Sequence, residues 1–281
     1  MSNLRWAWPS DEVGHLATIT NPVNSEDAQF PAARLCDFSN EYDTVPAMAT
    51  ASGAVTWLLA FDAPTRIDWI VLWHNFAAGV DVRFKMGDTS GTSDLDAAVV
   101  IPARRPSPSG NGFTVKVHKD LRDVDGFSEA GYLYAALELP ASAIAAGAKL
   151  LCYSRARTLS GLNFLQGARL GDVQQRLVMR TDFGKRWAYD LASARRPFLC
   201  TVKPKDSDLA DLRDWFHAAG SAPFGLVPNP AVNEALIAYW ADGNDGLITS
   251  RFDPTVQRFG AQLHSIDLAF DELTSGLPEW E

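Results

Sequence analysis

The stretch of sequence that decides the fold covers residues 66–86 and reads RIDWIVLWHNFAAGVDVRFKM. Its first half is rich in β-branched and aromatic residues, which predicts a strand because such side chains pack well on a pleated surface. Trp69 and Trp73 share one face of that strand, and Ile70 and Leu72 share the other. Its second half alternates apolar with charged residues. This alternation predicts an antiparallel strand with one face in a core and one in solvent.

Further strand patterns lie on both sides of this stretch, separated by segments rich in Gly, Ser, Thr and Pro. Residues 87–95 and 102–112 are two such turn segments. The first 50 residues, rich in Pro, Asn, Asp and Ser, predict extended segments and turns. Several short strands punctuated by turns predict a β-sandwich. The flanking strand patterns cover residues 54–61, 112–118, 132–139, 149–153 and 162–165.

The pattern changes after about residue 175. Asp206 or Ser207 can cap a helix over residues 207–219, because a side-chain oxygen there can accept a hydrogen bond from a free backbone N–H group. Leu212 and Trp215 belong to an apolar stripe at helical spacing. Strand patterns at residues 198–203, 224–227, 235–240 and 259–270 surround this helix. We therefore predict a mainly β protein with a β-sandwich (jelly roll) domain at 1–175 and a smaller α+β domain at 176–281.

Bulk composition limits the class of protein. With 281 residues, 47% of them hydrophobic and 21% charged, the chain has the balance of a folded globular protein. Its net charge of −9 repels phosphate backbones, which argues against nucleic acid as a partner. We find no signal-peptide pattern and no apolar run near the roughly 20 residues of a membrane span. Cys36, Cys152 and Cys200 lack CxxC spacing, which fits buried thiols in a protein matured in a reducing cytoplasm.

Motifs for catalysis or cofactor binding are absent from the sequence. It contains no P-loop, dinucleotide fingerprint, GxSxG elbow or HExxH helix. The five histidines are scattered singly, without metal-ligand spacing. Residues 242–246, DGNDG, offer oxygens at alternate positions as a calcium loop does, yet a hairpin turn suits the strand-like neighbours better. We expect no enzymatic activity and no cofactor, and we assign no catalytic, metal-binding or cofactor-binding residue.

Aromatic residues supply the candidates for an interface. Nine tryptophans are many for this length, and they suit core packing, protein interfaces or stacking on sugar rings. Trp57 and Trp69 lie inside predicted strands, which favours the core. The long apolar C-terminal segment is our candidate interface element, with Phe270, Leu277 and Trp280 as its contact residues. The alternative is a strand buried within its own domain.

Residues 66–84 resemble a recurring piece of bacteriophage virion proteins that carry a galactose-binding-like, discoidin-type jelly roll. In those proteins a buried strand ends in a Leu-x-His-Asn turn, here residues 72–75, and a glycine, here Gly79, leads into an alternating strand. The strand at residues 57–61 and the segment at residues 167–171 also fit this resemblance. The C-terminal region is similar to the second domains of phage tail-tip proteins.

The resemblance implies a structural subunit of a phage tail tip or baseplate, of the distal-tail or minor tail protein type. Such a subunit links the tail tube to the hub, fibres or receptor-binding components. It would form a homo-oligomeric ring, assemble in the host cytoplasm and reside in the virion. Two alternatives remain. One is a carbohydrate-binding module for host-surface glycan, and the other is a polysaccharide hydrolase, which only the acidic composition supports.

Overall fold

A computed structural model describes the chain over residues 5–21, 30–38, 47–48, 54–74, 79–101, 115–140, 147–158, 169–170, 176–180, 186–190, 198–202, 206–219, 223–228, 235–240, 255–259 and 261–272. Strands predominate in these ranges, which hold one α-helix, α1 (Asp206–Ala219). The mainly β character predicted from the sequence is confirmed. No helix in the described ranges is long and apolar enough to cross a membrane.

Two antiparallel sheets in the first half of the chain form a sandwich. Their strands are β2 (Thr18–Thr20), β3 (Ala47–Met48), β4 (Val55–Thr65), β5 (Trp69–His74), β6 (Val82–Gly87), β7 (Leu95–Val99), β8 (Val115–Asp120), β9 (Tyr132–Leu139) and β10 (Gly147–Tyr153). Within the described ranges the five-stranded sheet has the order β2-β4-β9-β6-β7, and the four-stranded sheet has the order β3-β10-β5-β8. Successive strands repeatedly cross between the sheets, as in a jelly roll.

Alternate side chains of the two sheets fill one core between them. Trp57 and Phe84 enter it from the five-stranded sheet, and Leu72 enters it from the four-stranded sheet. On the other side of β6, Arg83 and Lys85 are half-exposed and pair with acids on the neighbouring strands. The alternation predicted for residues 79–86 is therefore confirmed, and it places the solvent side of the five-stranded sheet opposite the core.

In the described part of the sandwich each predicted strand is present, but β7 is among the strands that were not predicted. Residues 87–95 are predicted as turn, and the turn indeed runs as far as Asp94, but an unpredicted strand begins at Leu95. In β7 the residues Leu95, Ala97 and Val99 are buried, whereas Asp96 and Ala98 are exposed. Because Ala97 is buried and Ala98 is exposed, these neighbouring positions do not differ in hydrophobicity. The sequence pattern therefore does not clearly indicate a strand. The strand predicted at 162–165 lies outside the described residues.

A sheet built mainly from strands in the second half of the chain packs against α1. Its strands, and those of a separate hairpin, are β1 (Arg5–Trp6), β11 (Arg157–Thr158), β12 (Arg169–Leu170), β13 (Arg176–Arg180), β14 (Arg186–Asp190), β15 (Phe198–Val202), β16 (Phe224–Val227), β17 (Leu236–Trp240), β18 (Thr255–Phe259) and β19 (Ala261–Glu272). Eight of them, within the described ranges, form one sheet in the order β11-β1-β16-β17-β19-β15-β12, with β18 paired to β19. β13 and β14 pair with each other.

The predicted helix and its apolar stripe are confirmed. Leu212 and Trp215 are buried, and Leu209 and Phe216 are partly buried against the same core. The Trp215 ring lies 5.0 Å from the ring of Phe224 on β16, at a steep angle. Edge-to-face aromatic pairs of this kind add to the stability that apolar burial gives. The helix thus covers one face of the eight-stranded sheet.

The eight-stranded sheet takes three short strands, β1, β11 and β12, from residues 1–175. β1 lies between β11 and β16, with Arg5 opposite Val227 and Trp6 opposite Leu226. Trp6 consequently lies in the same core as the helix. The division at residues 175 and 176 remains a prediction, and the strand order shows that the two halves of the sequence share this sheet.

Candidate functional site

The predicted interface residues occupy different surroundings. Phe270 is 1% exposed and lies in the second core, with its ring 5.6 Å from that of Trp215. Its side chain is therefore not available to another chain in this structure, and the alternative of burial within its own domain describes its position. Leu277 and Trp280 lie outside the described residues. The interface assigned to these two residues remains a prediction.

An apolar joint lies between elements of the two halves in the described structure. We use "the joint" for the contact between the outer face of the four-stranded sheet and the eight-stranded sheet. β5 is buried along its whole length: Ile70 and Leu72 face the sandwich core, and Trp69, Val71 and Trp73 face the joint. The two faces predicted from the sequence are confirmed. The other buried members of the joint are Ala7, Leu151, Tyr153, Val227, Ala235 and Ile237.

Tyr153 and Trp69 form the centre of the joint. Their rings stack with centroids 4.8 Å apart, and the indole N–H of Trp69 donates to the carbonyl of Arg155 at 3.2 Å. The backbone N–H of Gly225 donates to the Tyr153 hydroxyl at 2.6 Å. Burial, with the nearby charge of Glu12, raises the pKa of Tyr153 well above its ordinary value. The Tyr153 hydroxyl therefore stays neutral at physiological pH, and it accepts the hydrogen bond from Gly225 as an uncharged group.

Gly225 permits this close approach of the two sheets. A Cβ atom at this position would lie 2.7 Å from Tyr153 Cε2, 2.9 Å from the Trp69 ring and 3.1 Å from Val71 Cγ2. Any side chain would therefore push the sheets apart. A glycine inside a strand pattern is a sequence signal for close approach of another chain segment, and residues 224–227 carry that signal.

We expect Tyr153→Phe to lower the free energy of unfolding by about 2 kcal/mol, because it leaves the buried Gly225 N–H group without an acceptor. Chemical denaturation monitored by tryptophan fluorescence measures the change. Tyr132→Phe is the matched control: its hydroxyl donates to the Gly126 carbonyl at an exposed position, so its loss costs less. Equal losses for the two variants would contradict a buried hydrogen bond in the joint.

The N-terminal segment spans both sides of the joint, and we call residues 5–12 the N-terminal clasp. Ala7 N–H donates to the Gly225 carbonyl at 3.1 Å, beside the pairing of β1 with β16. The Asp11 carbonyl accepts from Ser154 N–H at 2.8 Å, directly after β10 of the sandwich. Glu12 accepts from the N–H of Cys152, within β10. The clasp thus ties the eight-stranded sheet to the four-stranded sheet through backbone hydrogen bonds.

Two side chains of the clasp form ion pairs at the edge of the joint. Arg5, 8% exposed, contacts Asp120 at the end of β8, with Nη2 and Oδ2 separated by 2.8 Å. Arg122 contacts the same carboxylate at 2.8 Å. On β11, Arg157 contacts Asp11 at 3.0 Å. Asp120 is therefore the shared anion that joins β1 of one sheet to β8 of the other.

The charges of this cluster shift one another's ionisation. Burial by itself would raise the pKa of Asp120, but the hydrogen bonds from Arg122 and the charges of Arg5 and Arg122 outweigh it and hold that pKa below its ordinary value. Burial lowers the pKa of Arg5, and the charge of Asp120 opposes this effect. Both groups stay ionised at neutral pH. The Nε and Nη1 atoms of Arg5 are buried without a hydrogen-bond partner in the described structure, so Asp120 carries most of the compensation for this cation.

Two buried lysines flank Trp73 at the other end of the joint. The Lys116 ammonium lies 4.6 Å from the centre of the Trp73 ring, and the Lys149 ammonium lies 4.6 Å from the centre of the Phe38 ring. Lys149 also donates to the Asp37 carbonyl. Desolvated cation–π contacts stabilise such cations. The joint is therefore apolar at its centre and charged at both ends.

One half-exposed polar surface lies at an end of the sandwich. The buried Asp68 carboxylate accepts from the Arg66 guanidinium and from the N–H of Ala156. Arg66 lies over the Phe127 ring at 5.6 Å and within 3.9 Å of the exposed Glu129. A fixed arginine beside an exposed acid can bind a polyhydroxylated ligand by hydrogen bonds. This surface is the described feature that best suits a sugar.

The described residues offer little chemistry beyond these contacts. No group of three or more His, Cys, Asp or Glu side chains in the described ranges is arranged to hold a metal ion. His15 is exposed and pairs with Glu12, whereas His74 and His118 are buried. The calcium-loop or hairpin segment at residues 242–246 lies outside the described residues. The joint and the N-terminal clasp hold the sandwich and the eight-stranded sheet together.

Comparisons with known proteins leave the family open. No protein-family model matches the chain, and no curated protein matches it. Among solved structures, the chain is similar to an F-lectin (fucolectin) from the serum of the striped bass, Morone saxatilis, with 9% sequence identity and a TM-score of 0.38. The alignment covers 94% of this chain and 99% of that chain. A TM-score this low carries no argument about fold or ligand, and the sandwich is assigned from its own strand pairing.

Proposed function

We propose that the chain is a non-enzymatic structural subunit of a bacteriophage tail tip or baseplate. In this role it links the tail tube to the hub, fibres or receptor-binding components. It assembles as a homo-oligomeric ring in the host cytoplasm and resides at the tail tip of the virion. The resemblance of residues 66–84 to phage virion proteins is the support from the sequence.

The burial of β5 on both faces is the observation that carries this proposal. One face of this strand belongs to the sandwich core and the other to the joint. Units joined through small polar interfaces move relative to one another, whereas a large apolar interface fixes their orientation. A subunit between a tube and its fibres must hold its attachment surfaces in a fixed orientation. The joint and the N-terminal clasp suit that mechanical task.

Size-exclusion chromatography with multi-angle light scattering, followed by negative-stain imaging, tests the proposal. We expect a closed ring with a cyclic axis, because homo-oligomers generally close. Binding to isolated tail tubes or hub proteins of the same phage is the second readout. A chain that stays monomeric at high concentration and binds no tail protein would contradict the proposal.

The C-terminal segment supplies the variants for this test. Leu277→Asp with Trp280→Asp should abolish the ring and leave a folded monomer, because charges at the centre of an apolar interface are costly. Val100→Asp is the matched control, since Val100 is 62% exposed and lies outside the predicted interface. A ring that survives the double variant would remove the C-terminal segment as the interface.

A carbohydrate-binding module is the second candidate, and the surface at Arg66, Phe127 and Glu129 favours it. A glycan array should then give signals that Glu129→Ala weakens, because this exposed carboxylate can accept hydrogen bonds from sugar hydroxyls. Unfolding measurements on the variant separate loss of binding from loss of fold. An array without signal above background would eliminate this candidate.

A further inference from the structure

Two of the three cysteines lie side by side in the core of the sandwich. Cys36 follows a short 3-10 turn at Ala32–Leu35, and Cys152 lies in β10. Both are buried in the first core, and both lie against residues 12–14: Val13 N–H donates to the Cys152 carbonyl, and Cys36 Sγ lies beside Gly14. Cys200 belongs to the second core, around α1. Cys36 and Cys152 are therefore the one pair of cysteines that share a core.

Glu12, at the end of the N-terminal clasp, and the two residues after it contact this pair. Glu12 Oε1 accepts from Gly14 N–H at 2.7 Å and from Cys152 N–H at 3.2 Å. Val13 N–H donates to the Cys152 carbonyl at 2.8 Å. A Cβ atom at Gly14 would lie 2.9 Å from Cys36 Sγ. The chain is thus packed closely around the Cys36 sulfur, and the Cys152 backbone is fixed through both its N–H and its carbonyl.

We propose that Cys36 and Cys152 are a latent disulfide, which is open in a reducing compartment and closes in an oxidising one. Closure links the segment after the first 3-10 turns to β10, across a long stretch of sequence. It constrains the unfolded chain and therefore stabilises the sandwich. This inference is independent of the proposed function, because it rests on the core of the sandwich alone.

The chemistry requires a small-molecule disulfide such as oxidised glutathione as the oxidant. The Cys36 thiolate attacks one sulfur of the oxidant, forms a mixed disulfide and releases one reduced thiol. The Cys152 thiolate then attacks the Cys36 sulfur, forms the internal disulfide and releases the second reduced thiol. The two protein thiols lose two protons and two electrons in total, and one oxidant disulfide becomes two thiols.

Burial explains why the pair stays reduced in the folded chain until it is exposed to strong oxidant or opens locally. Loss of solvation, followed by the hydrogen bond and the charge of the neighbouring Cys36, raises the pKa of Cys152 well above its ordinary value. The thiolate is the reactive form, so this shift slows exchange. Local opening of the segment at residues 31–38 gives the oxidant access.

The test uses the full chain in a glutathione redox buffer, both folded and during refolding from denaturant. Free thiols are then alkylated, and digested peptides are identified by mass spectrometry. We expect a linked peptide pair containing Cys36 and Cys152, with Cys200 alkylated. Three outcomes would overturn the proposal. Cys200 could be linked as often as the other two cysteines, only glutathione adducts could form, or neither sample could contain a link.

Thermal unfolding of matched variants provides the second readout. Oxidation should raise the Tm by about 5 °C in the wild-type chain, and dithiothreitol should reverse the rise. Cys200→Ala should keep the rise, whereas Cys36→Ala should lose it. The Tm differences are taken between oxidised and reduced samples of the same variant, so a change in the basal stability of a variant does not affect the result.

Discussion

Replacing Asp120 with alanine is expected to lower the free energy of unfolding by about 3 kcal/mol, because it removes the carboxylate that compensates a buried arginine. Arg5 lies in the joint with Nε and Nη1 already unpartnered in the described structure. Without Asp120, the whole guanidinium of Arg5 is buried beside the like charge of Arg122. Urea denaturation at neutral pH measures the loss.

Asp96→Ala is the control for this variant. Asp96 also contacts an arginine, Arg83, at 2.7 Å, but this pair lies on the solvent side of the five-stranded sheet. Exposed ion pairs contribute little because water and salt screen them. The loss for Asp96→Ala should therefore be much smaller. Similar losses for the two variants would mean that the Arg5 guanidinium is solvated and that the joint is open at this end.

The same cluster predicts a dependence of stability on pH. The pKa of Asp120 is lower in the folded chain than its ordinary value, so the unfolded chain binds more protons as the solution is acidified. The contribution of Asp120 is then complete at neutral pH and is lost as the pH falls below about 4. In Asp120→Asn this part of the acid loss should disappear. An unchanged acid profile would show that other carboxylates carry it.

Trp69→Ala is expected to lower the free energy of unfolding by about 4 kcal/mol, the range found when a large buried aromatic side chain is truncated. The variant removes the stacking partner of Tyr153 and the donor to the Arg155 carbonyl, and it leaves a cavity between the sheets. Denaturant unfolding measures the loss. Scattering of the folded variant reports whether the two units still pack together.

Leu16→Ala is the control for the loss of an apolar side chain. Leu16 is 60% exposed, so truncation there should change the free energy of unfolding by less than about 0.5 kcal/mol. A loss below 1 kcal/mol for Trp69→Ala would contradict a packed joint. Together with Asp120→Ala, the variant separates the apolar centre of the joint from its charged edge.

The sandwich was predictable from the sequence because its longer strands bury either one face or both faces. In β6 the buried Val82 and Phe84 alternate with charged residues. This contrast indicates both that the segment is a strand and which of its faces is buried. β5 could be assigned two buried faces because apolar residues occupy both. The helix was equally clear, since Leu212 and Trp215 recur at helical spacing. Local patterns of this kind need no knowledge of the rest of the chain.

The joint was not predictable, because its contacts join residues far apart in sequence. The two-residue strand β1 is too short to produce a pattern, yet it places Arg5 beside Asp120. Gly225 carried a signal in the form of a glycine inside a strand, but the sequence does not say which segment approaches it. Phe270 was assigned to a candidate interface from the apolar character of its strand, and the structure buries its side chain because that strand is central in a sheet with a helix on one face. Apolar character alone does not distinguish a core from an interface.

The position of β1 has a consequence for synthesis on the ribosome. Residues 5–6 leave the exit tunnel early, but β16, beside which they lie, is made some 220 residues later. The sandwich has all its described strands once Tyr153 has emerged, so its core can form while the chain is still growing. The eight-stranded sheet must wait for the last strands, and until they arrive β1 can pair only with β11. Closing so long a loop is slow, and the pairing of β1 with β16 is therefore among the last contacts of the molecule to form.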